Sequence, residues 1–461
     1  MSGNVYDELK ERGFVAQVSD EAAVRKMLGE KPITFYVGFD STASSLHAGS
    51  LVPIMAMVHL RRAGHRAIAV VGSGTTMVGD PSGKTEMRQM IDETTIRTQG
   101  QAILIQLARY LHFDGTNAIA VDNADWLLPL NYVAFLRDIG RHFSVNRMLA
   151  AEAYKLRLEK GLSFIEFNYQ LLQAYDYLTL YRKYGCTLQM GGDDQWGNIL
   201  AGVDLIRRVD GGAAEALTFP LLTTASGAKM GKTAQGAVWL DAALFGPYDF
   251  YQYWVNCDDR DVGRFLKIFT LLPLDEVRRL ESLKDSGINE AKRILAFEAT
   301  KITHGEKAAE EARAASAAAF GGGALRASGR KGGHGTAVIS GGGTVHASGF
   351  KGAIGAAAVS GGGEITASGK KDVTGDITVL PTTAVPRARL EAGIPPAELF
   401  TEVGLTPSRR EAKRLVDQGG LYVNDERIDT VERLLTIKDL GPDGGMLLKA
   451  GKKKFHRVVA G

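Results

Sequence analysis

The chain has 461 residues, 45% of them apolar and 23% charged, with a formal net charge of +3. That length buries a large core and predicts two to four domains, while a charge so close to balance excludes a strong polyelectrolyte partner for the surface as a whole. No apolar run approaches the roughly 18 residues that a membrane span needs, and Met1 to Arg12 lacks a signal-type apolar region, so a cytoplasmic protein without membrane attachment is expected. Cys186 and Cys257 form no CxxC pair, which leaves neither a disulfide framework nor a zinc site in view.

In chain order, residues 33–39 (Ile-Thr-Phe-Tyr-Val-Gly-Phe) predict a buried strand. Residues 49–63 predict a helix, with Leu51, Ile54, Met55, Val58 and Leu60 at helical spacing. Further strands are predicted at 67–71, 119–121, 188–190 and 217–222, with helices over 164–181 and 196–208. Strands alternating with helices imply an α/β fold, a Rossmann-like doubly wound parallel sheet whose ligands bind beyond the carboxyl ends of the strands. From about 247 to 320 the pattern is helical, with amphipathic runs over 277–283 and 291–313.

Residues 321–380 hold three tandem copies of a 20-residue unit, starting at Gly321, Gly341 and Gly361. Each opens on three glycines and carries Ala-Ser-Gly followed by a lysine two places on. The glycine content suits a flexible spacer, and the alternating Thr, Val and Ile residues suit a small β unit. A compact α+β module is predicted from about 396 to the end. Ser408 caps a short helix there whose outer face carries Arg409, Arg410, Lys413 and Arg414, followed by a strand hairpin and a basic tail with Lys449, Lys452, Lys453, Lys454 and Arg457. A basic helix beside a hairpin suits an RNA phosphate track.

Two segments carry the chemistry. Ser44-Ser45-Leu46-His47-Ala48-Gly49-Ser50-Leu51 follows a strand, and Lys229-Met230-Gly231-Lys232-Thr233 follows another about 180 residues on. Alone, His47 reads as a capping histidine and the two lysines as a solvated loop; together they describe a triphosphate site closed by a loop. Three look-alikes fail. The Walker-type ends at Gly83-Lys84-Thr85 and Gly231-Lys232-Thr233 lack their first glycine, replaced by Val78 and Ser226, and Gly72-x-Gly74 has Met77 in place of its third.

These segments, with Tyr36-Val37-Gly38-Phe39-Asp40, Gly79-Asp80-Pro81-Ser82-Gly83-Lys84, Tyr169 to Asp176 and Gly191 to Asn198, resemble the bacterial tyrosyl-tRNA synthetases, a class I aminoacyl-tRNA synthetase family. The resemblance covers about 1–320 and 381–461. It implies a catalytic domain over 1–225, a mobile KMSKS-type loop at 226–245, an α-helical anticodon-binding domain over 246–320, the repeats as a linker at 321–380 and an S4-type RNA-binding domain over 396–461. It also implies a homodimer that joins L-tyrosine to tRNA(Tyr) through a tyrosyl-adenylate made from ATP. Mg²⁺ would arrive on the ATP phosphates, with no tightly held protein metal.

The roles implied are residue-specific. Tyr36 and Asp176 hold the tyrosine hydroxyl; Asp80, Tyr169 and Gln173 hold the ammonium, with Gln195 also on the substrate. A site that bonds this hydroxyl leaves its own groups unpaired when phenylalanine enters, giving about 10⁴–10⁵ discrimination, a magnitude this family itself exemplifies. His47, Lys229 and Lys232 bind the phosphates, and Thr42 helps at the γ-phosphate. Gly38, Asp40, Gly49 and Asp194 contact the nucleotide. Ser50 stands where the family often has a second histidine, and a single oriented donor of that kind is typically worth about 3 kcal/mol. The repeat block is the other departure; lengthening a tether fourfold costs about 1.2 kcal/mol, at about 0.6 per doubling. A tryptophan-type ligase on the same scaffold, or an RNA-binding protein that has lost the chemistry, are the competing readings.

Overall fold

A parallel five-stranded sheet organises the first part of the chain in the computed structural model, which describes residues 3–82, 90–150, 152–227, 229–233, 236–320, 382–424, 426–441, 444–451 and 454–461. The repeat block and Lys84, Lys452 and Lys453 lie outside these residues. By contact the chain forms two compact units: Met1–Phe245 with Cys257–Thr303, and Gly246–Asn256 with the described residues from His304 onward.

In the first unit the strands are β1 (Thr34–Asp40), β2 (Arg66–Gly72), β3 (Ala118–Asp122), β4 (Cys186–Gly192) and β5 (Glu215–Phe219). Their order is β3-β2-β1-β4-β5, and every pairing is parallel. The chain therefore reverses its direction of winding between β1 and β4, and the crevice beyond their carboxyl ends is where ligands bind in such sheets. The burial of β2 on both faces is what a covered parallel sheet requires. The expected doubly wound fold is present, and each predicted strand is found within two or three residues of its expected ends.

Helix Leu51–Arg62 follows β1 and is buried over nine of its residues, which explains its weakly amphipathic sequence. The run expected as one helix over 164–181 is two: Phe164–Phe167, closed by a Ser163–Glu166 capping box, and Tyr169–Tyr184. The run over 291–313 also divides, into Ile288–His304 and Glu306–Phe320, at Gly305, whose φ of +91° no helix interior tolerates.

After β5 come two short strands, β6 (Lys232–Thr233) and β7 (Gly236–Ala237), paired antiparallel. The second unit holds helix Pro247–Val255, helix Glu306–Phe320 and a five-stranded sheet built from β8 (Thr382–Val385), β9 (Leu421–Val423), β10 (Glu426–Arg427), β11 (Gly445–Ala450) and β12 (Lys454–Ala460) in the order β10-β9-β11-β12-β8. Its core includes Val385, Leu390, Phe400, Val416, Val423, Leu448 and Val458. The module thus starts before the expected boundary at 396, because β8 pairs in parallel with β12 and Leu390 is fully buried. The described residues of the expected basic tail, Lys449, Lys454 and Arg457, belong to this sheet: Arg457 is buried, and the Lys449 ammonium lies 5.2 Å from the ring centre of Tyr422 and 5.4 Å from that of Phe455.

Candidate functional site

The crevice has two walls. The first starts from Tyr36 on β1, whose register partner on β4 is Gln189, so both side chains leave the same face of the sheet. Helix Tyr169–Tyr184 covers that face, and the Tyr177 ring meets Tyr36 edge-on with centroids 5.4 Å apart. Asp176, one residue earlier, is 4% exposed. Its Oδ2 accepts from the Asn123 amide at 2.9 Å and its Oδ1 from the Trp126 indole N–H at 2.7 Å. Burial holds the Asp176 carboxyl up at about 7, with the charges of Asp40 and Asp122 adding to it and the two donors opposing. Burial likewise raises the Tyr36 phenol well above its ordinary value, and the nearby charge of Asp176 raises it further.

Asn123 joins this wall to the end of β1. Its amide nitrogen also donates to Thr75 Oγ1 at 3.0 Å, its oxygen accepts from the Gly74 N–H at 2.8 Å, and Thr75 Oγ1 donates to Asp40 Oδ1 at 2.9 Å. Tyr169 donates to the other oxygen of Asp40 at 3.1 Å. Asp80, itself buried, accepts from the Gln195 amide at 2.7 Å and from the Ser82 N–H at 2.9 Å. Asn198 ties Gln195 to Ser82, donating to the first at 3.1 Å and to the second at 3.2 Å. Three buried atoms of this wall, Tyr36 Oη, Gln173 Oε1 and Gln189 Oε1, have no hydrogen-bond partner among the described residues. Buried polar atoms in native proteins are paired, so orphans gathered on one face mark where a polar ligand completes the set.

The second wall is made of backbone. His47 caps the single turn Ala48–Ser50, its Nδ1 accepting from the Gly49 N–H at 3.0 Å. A neutral imidazole that accepts at Nδ1 carries its proton on Nε2 and donates there. Ser50 Oγ closes the capping box from 3.5 Å, a weak contact. Gln106, buried, fastens the preceding loop by accepting from the Leu46 N–H at 3.0 Å and from Ser45 Oγ at 3.2 Å.

The 229–233 segment lies directly against this turn. Leu240 N–H donates to Leu46 C=O, Ala48 N–H to Val238 C=O and Val238 N–H to Gly231 C=O, each at 2.8 Å. A Cβ on Gly231, whose φ is +78°, would fall 2.7 Å from Gly49 N and 2.9 Å from His47 Nδ1; one on Gly49 would fall 3.0 Å from Met230 C=O. Glycine at both positions is thus a steric requirement of the contact.

The structure therefore gathers Tyr36, Asp40, Asp80, Tyr169, Gln173, Asp176 and Gln195 on one wall, and His47, Gly49, Ser50, Lys229 and the Lys232 backbone on the other. Gly38 is exposed between them, with nothing within 4 Å of where a Cβ would stand. Thr42 lies two residues past Asp40, its N–H bonded to the Asp40 carbonyl at 2.9 Å. Asp194 sits in the turn after β4 beside Gly192. Lys229 is exposed and its backbone bridges Thr223. Arg409, Arg410, Lys413 and Arg414 are not part of this site; they lie exposed on helix Arg409–Asp417 of the other unit, capped by Ser408 as expected. Two of them are engaged, Arg409 with Glu398 at 3.0 Å and Arg414 with Glu411 at 2.6 Å.

Sequence reasoning gave no role to Asn123, Trp126, Thr75, Gln189 or Gln106, and noted Asn198 only as the end of the Gly191–Asn198 segment. Of the first five, Asn123 left a signal, since it lies two residues past a predicted strand at the end where ligands bind. Among the described residues no group of three or more His, Cys, Asp or Glu side chains could hold a metal ion, and no helix is long and apolar enough to cross a membrane.

The chain is similar to proteins of known family over nearly its whole length. Residues 28–321 match the family described as tRNA synthetases class I (W and Y), and residues 377–458 match the tyrosine–tRNA ligase SYY-like C-terminal domain. The chain is 52% identical over 452 residues to a tyrosine–tRNA ligase of Syntrophus aciditrophicus, with 98% of each chain covered. It is 50% identical over 458 residues to that of Desulfosudis oleivorans, with 99% of each covered. Among solved structures, a C-terminally truncated mitochondrial tyrosyl-tRNA synthetase of Aspergillus nidulans superposes with a TM-score of 0.62 at 28% identity, covering 68% of this chain and 93% of its own. From site and relatives together, the chain belongs to the tyrosine–tRNA ligases of the class I tRNA synthetase family.

Proposed function

We propose that this chain activates L-tyrosine with ATP and passes it to tRNA(Tyr), with the residue roles that follow. The observation that carries the reading is a buried wall ending in Tyr36 and Asp176 that shares one crevice with the His47–Gly49 turn and the loop seated on it. Tyr36 Oη and the Asp176 carboxylate meet the substrate hydroxyl; Asp80, Tyr169 and Gln173 meet the ammonium, with Gln195 held on Asp80 beside them. The tyrosine carboxylate then faces the open space over Gly38, where Asp40, Gly49 and Asp194 hold the nucleotide.

A carboxylate oxygen attacks the α-phosphorus, and the bond to pyrophosphate breaks with its electrons leaving on the pyrophosphate oxygen. The protein supplies position and charge stabilisation, with no covalent step of its own. His47 donates from Nε2, Lys229 and Lys232 bring ammonium groups on the loop, Thr42 adds a hydroxyl near the γ-phosphate, and Ser50 adds a weaker one. Mg²⁺, when bound, would neutralise charge on the ATP phosphates. In the second half-reaction a hydroxyl of the terminal tRNA ribose attacks the carbonyl carbon and AMP leaves. Arg409, Arg410, Lys413 and Arg414 hold RNA phosphates, and 246–320 reads the anticodon. Family membership also supports a homodimer in the cytoplasm, where tRNA and ATP are found.

Tyrosine-dependent exchange of pyrophosphate into ATP tests this, with phenylalanine and tryptophan as controls. Exchange with tyrosine alone is expected. Exchange with tryptophan instead, or none with any amino acid while tRNA still binds, would sink it.

A further inference from the structure

A buried ion pair lies outside the site just assigned. Arg157, on helix Glu152–Lys160, and Glu166, on Phe164–Phe167, are 4% and 2% exposed. They meet in a bidentate fork, Nε to Oε1 and Nη2 to Oε2, both 3.0 Å. Further contacts of the pair hold the turn between the two helices. Arg157 Nη2 donates to Gly161 C=O at 3.0 Å, where φ is +95°, and Glu166 Oε2 accepts from Ser163 N–H at 3.1 Å and Ser163 Oγ at 2.7 Å. Replacing such a pair with apolar groups of like volume is often neutral for stability, so what the pair does is read from the groups it holds in place.

What it fixes is the start of helix Tyr169–Tyr184. Phe164–Phe167 runs into that helix through Asn168, whose N–H bonds the Ile165 carbonyl at 3.1 Å and whose carbonyl accepts from Leu171 N–H at 3.0 Å. Tyr154, fully buried on the same helix as Arg157, donates to Phe167 C=O at 3.1 Å and packs its ring 5.5 Å from that of Phe167. Tyr169 is the first residue of the supported helix, and Gln173 lies one turn further.

We propose that Arg157 and Glu166 are positioning residues for the amine end of the amino-acid subsite, setting the placement of Tyr169 and Gln173 without touching substrate. This rests on the reading of Asp80, Tyr169 and Gln173 as ammonium ligands. The pair acts at one end of the helix only. Asp176, two turns along, is held separately by Asn123 and Trp126, so the phenol end keeps its geometry when the pair is lost.

Two competitive inhibitors separate the ends. Tyramine has the phenol and the ammonium; 3-(4-hydroxyphenyl)propanoate has the phenol and no amine. The double variant Arg157→Met/Glu166→Leu replaces the charges by apolar groups. Glu166→Asp, which keeps the charge and shortens the reach, is measured beside it in case the double variant does not fold. Adenylate-burst titration counts competent sites, so inhibition constants refer to folded enzyme. Weakening of tyramine by about tenfold or more, with the propanoate within about twofold, is expected. Equal weakening of both inhibitors, or of neither, overturns the proposal. Gln173→Ala, run in parallel, tells the two failures apart. If it separates the inhibitors and the pair variants do not, positioning is wrong; if it does not separate them, the ammonium reading is wrong and the proposal falls with it.

Discussion

The two walls of the crevice are specified by different means. The amino-acid wall is a network of buried side chains in which Asn123, Trp126 and Thr75 hold Asp176 and Asp40 in fixed directions. The nucleotide wall is main chain against main chain, with two glycines allowing the approach. The first wall is therefore sensitive to which polar atom stands where, and tolerant of little else. The second is sensitive to volume at two points, and its side chains act at the rim.

Asp176→Asn tests the first wall most sharply. One amide cannot accept from both Asn123 and Trp126, so an N–H is left facing an N–H in a buried site. Such a mismatch costs about 3 kcal/mol, so kcat/KM for tyrosine is expected to fall by about 100-fold or more. The same carboxyl sets a pH dependence. Unfolded, it ionises near its ordinary 3.8; folded, burial holds it to about 7. Between those values the native state binds the extra proton, so this group makes stability fall as pH rises from about 4 to about 7 and adds no slope above. Denaturation across that window is expected to show a slope in the parent that the asparagine variant lacks.

Gly231→Ala tests the second wall. A methyl group there collides with Gly49 N and His47 Nδ1, and the left-handed φ is strained for alanine. Pyrophosphate exchange is expected to drop by about tenfold to 100-fold, with equilibrium tyrosine binding unchanged. Weakened tyrosine binding would mean that the walls are not independent. A smaller effect is expected from Ser50→Ala, a few-fold at most in adenylation, since its hydroxyl closes the capping box only from 3.5 Å. An unchanged rate would reduce Ser50 to a helix residue. The smallest effect on activation belongs to the other unit. Lys413→Ala is expected to leave pyrophosphate exchange untouched while lowering the salt dependence of tRNA binding by about one phosphate contact; a change in exchange would contradict the assignment of that face to RNA.

How much of this was readable in advance follows the same division. Gly49, His47 and the 229–233 loop were legible because close backbone approach demands glycine, and glycine beside His and Lys is visible in one dimension. The strands were legible because a covered parallel sheet needs continuous apolar runs, as in Ala67 to Val71. The roles of Asn123 and Trp126 were not, since each meets its partner Asp176 across about fifty positions of sequence. The break at Gly305 was hidden by alanine-rich text on both sides, which favours helix locally whatever φ one residue adopts. Strand β8 was missed because four residues after a glycine-rich stretch become a strand only by pairing with β12, seventy-odd positions later.

One amide described above has both of its donors committed. The Asn123 nitrogen serves both Asp176 and Thr75, and its oxygen is taken by Gly74. Slow hydrolysis of that amide during storage would turn the donor into a second carboxylate pointing at Asp176, and two acids cannot both stay ionised so close together. We expect aged preparations carrying this change to keep their fold and lose their preference for the phenol. Intact-mass measurement beside tyrosine and phenylalanine turnover would expose it, and full selectivity in protein deamidated at that position would rule it out.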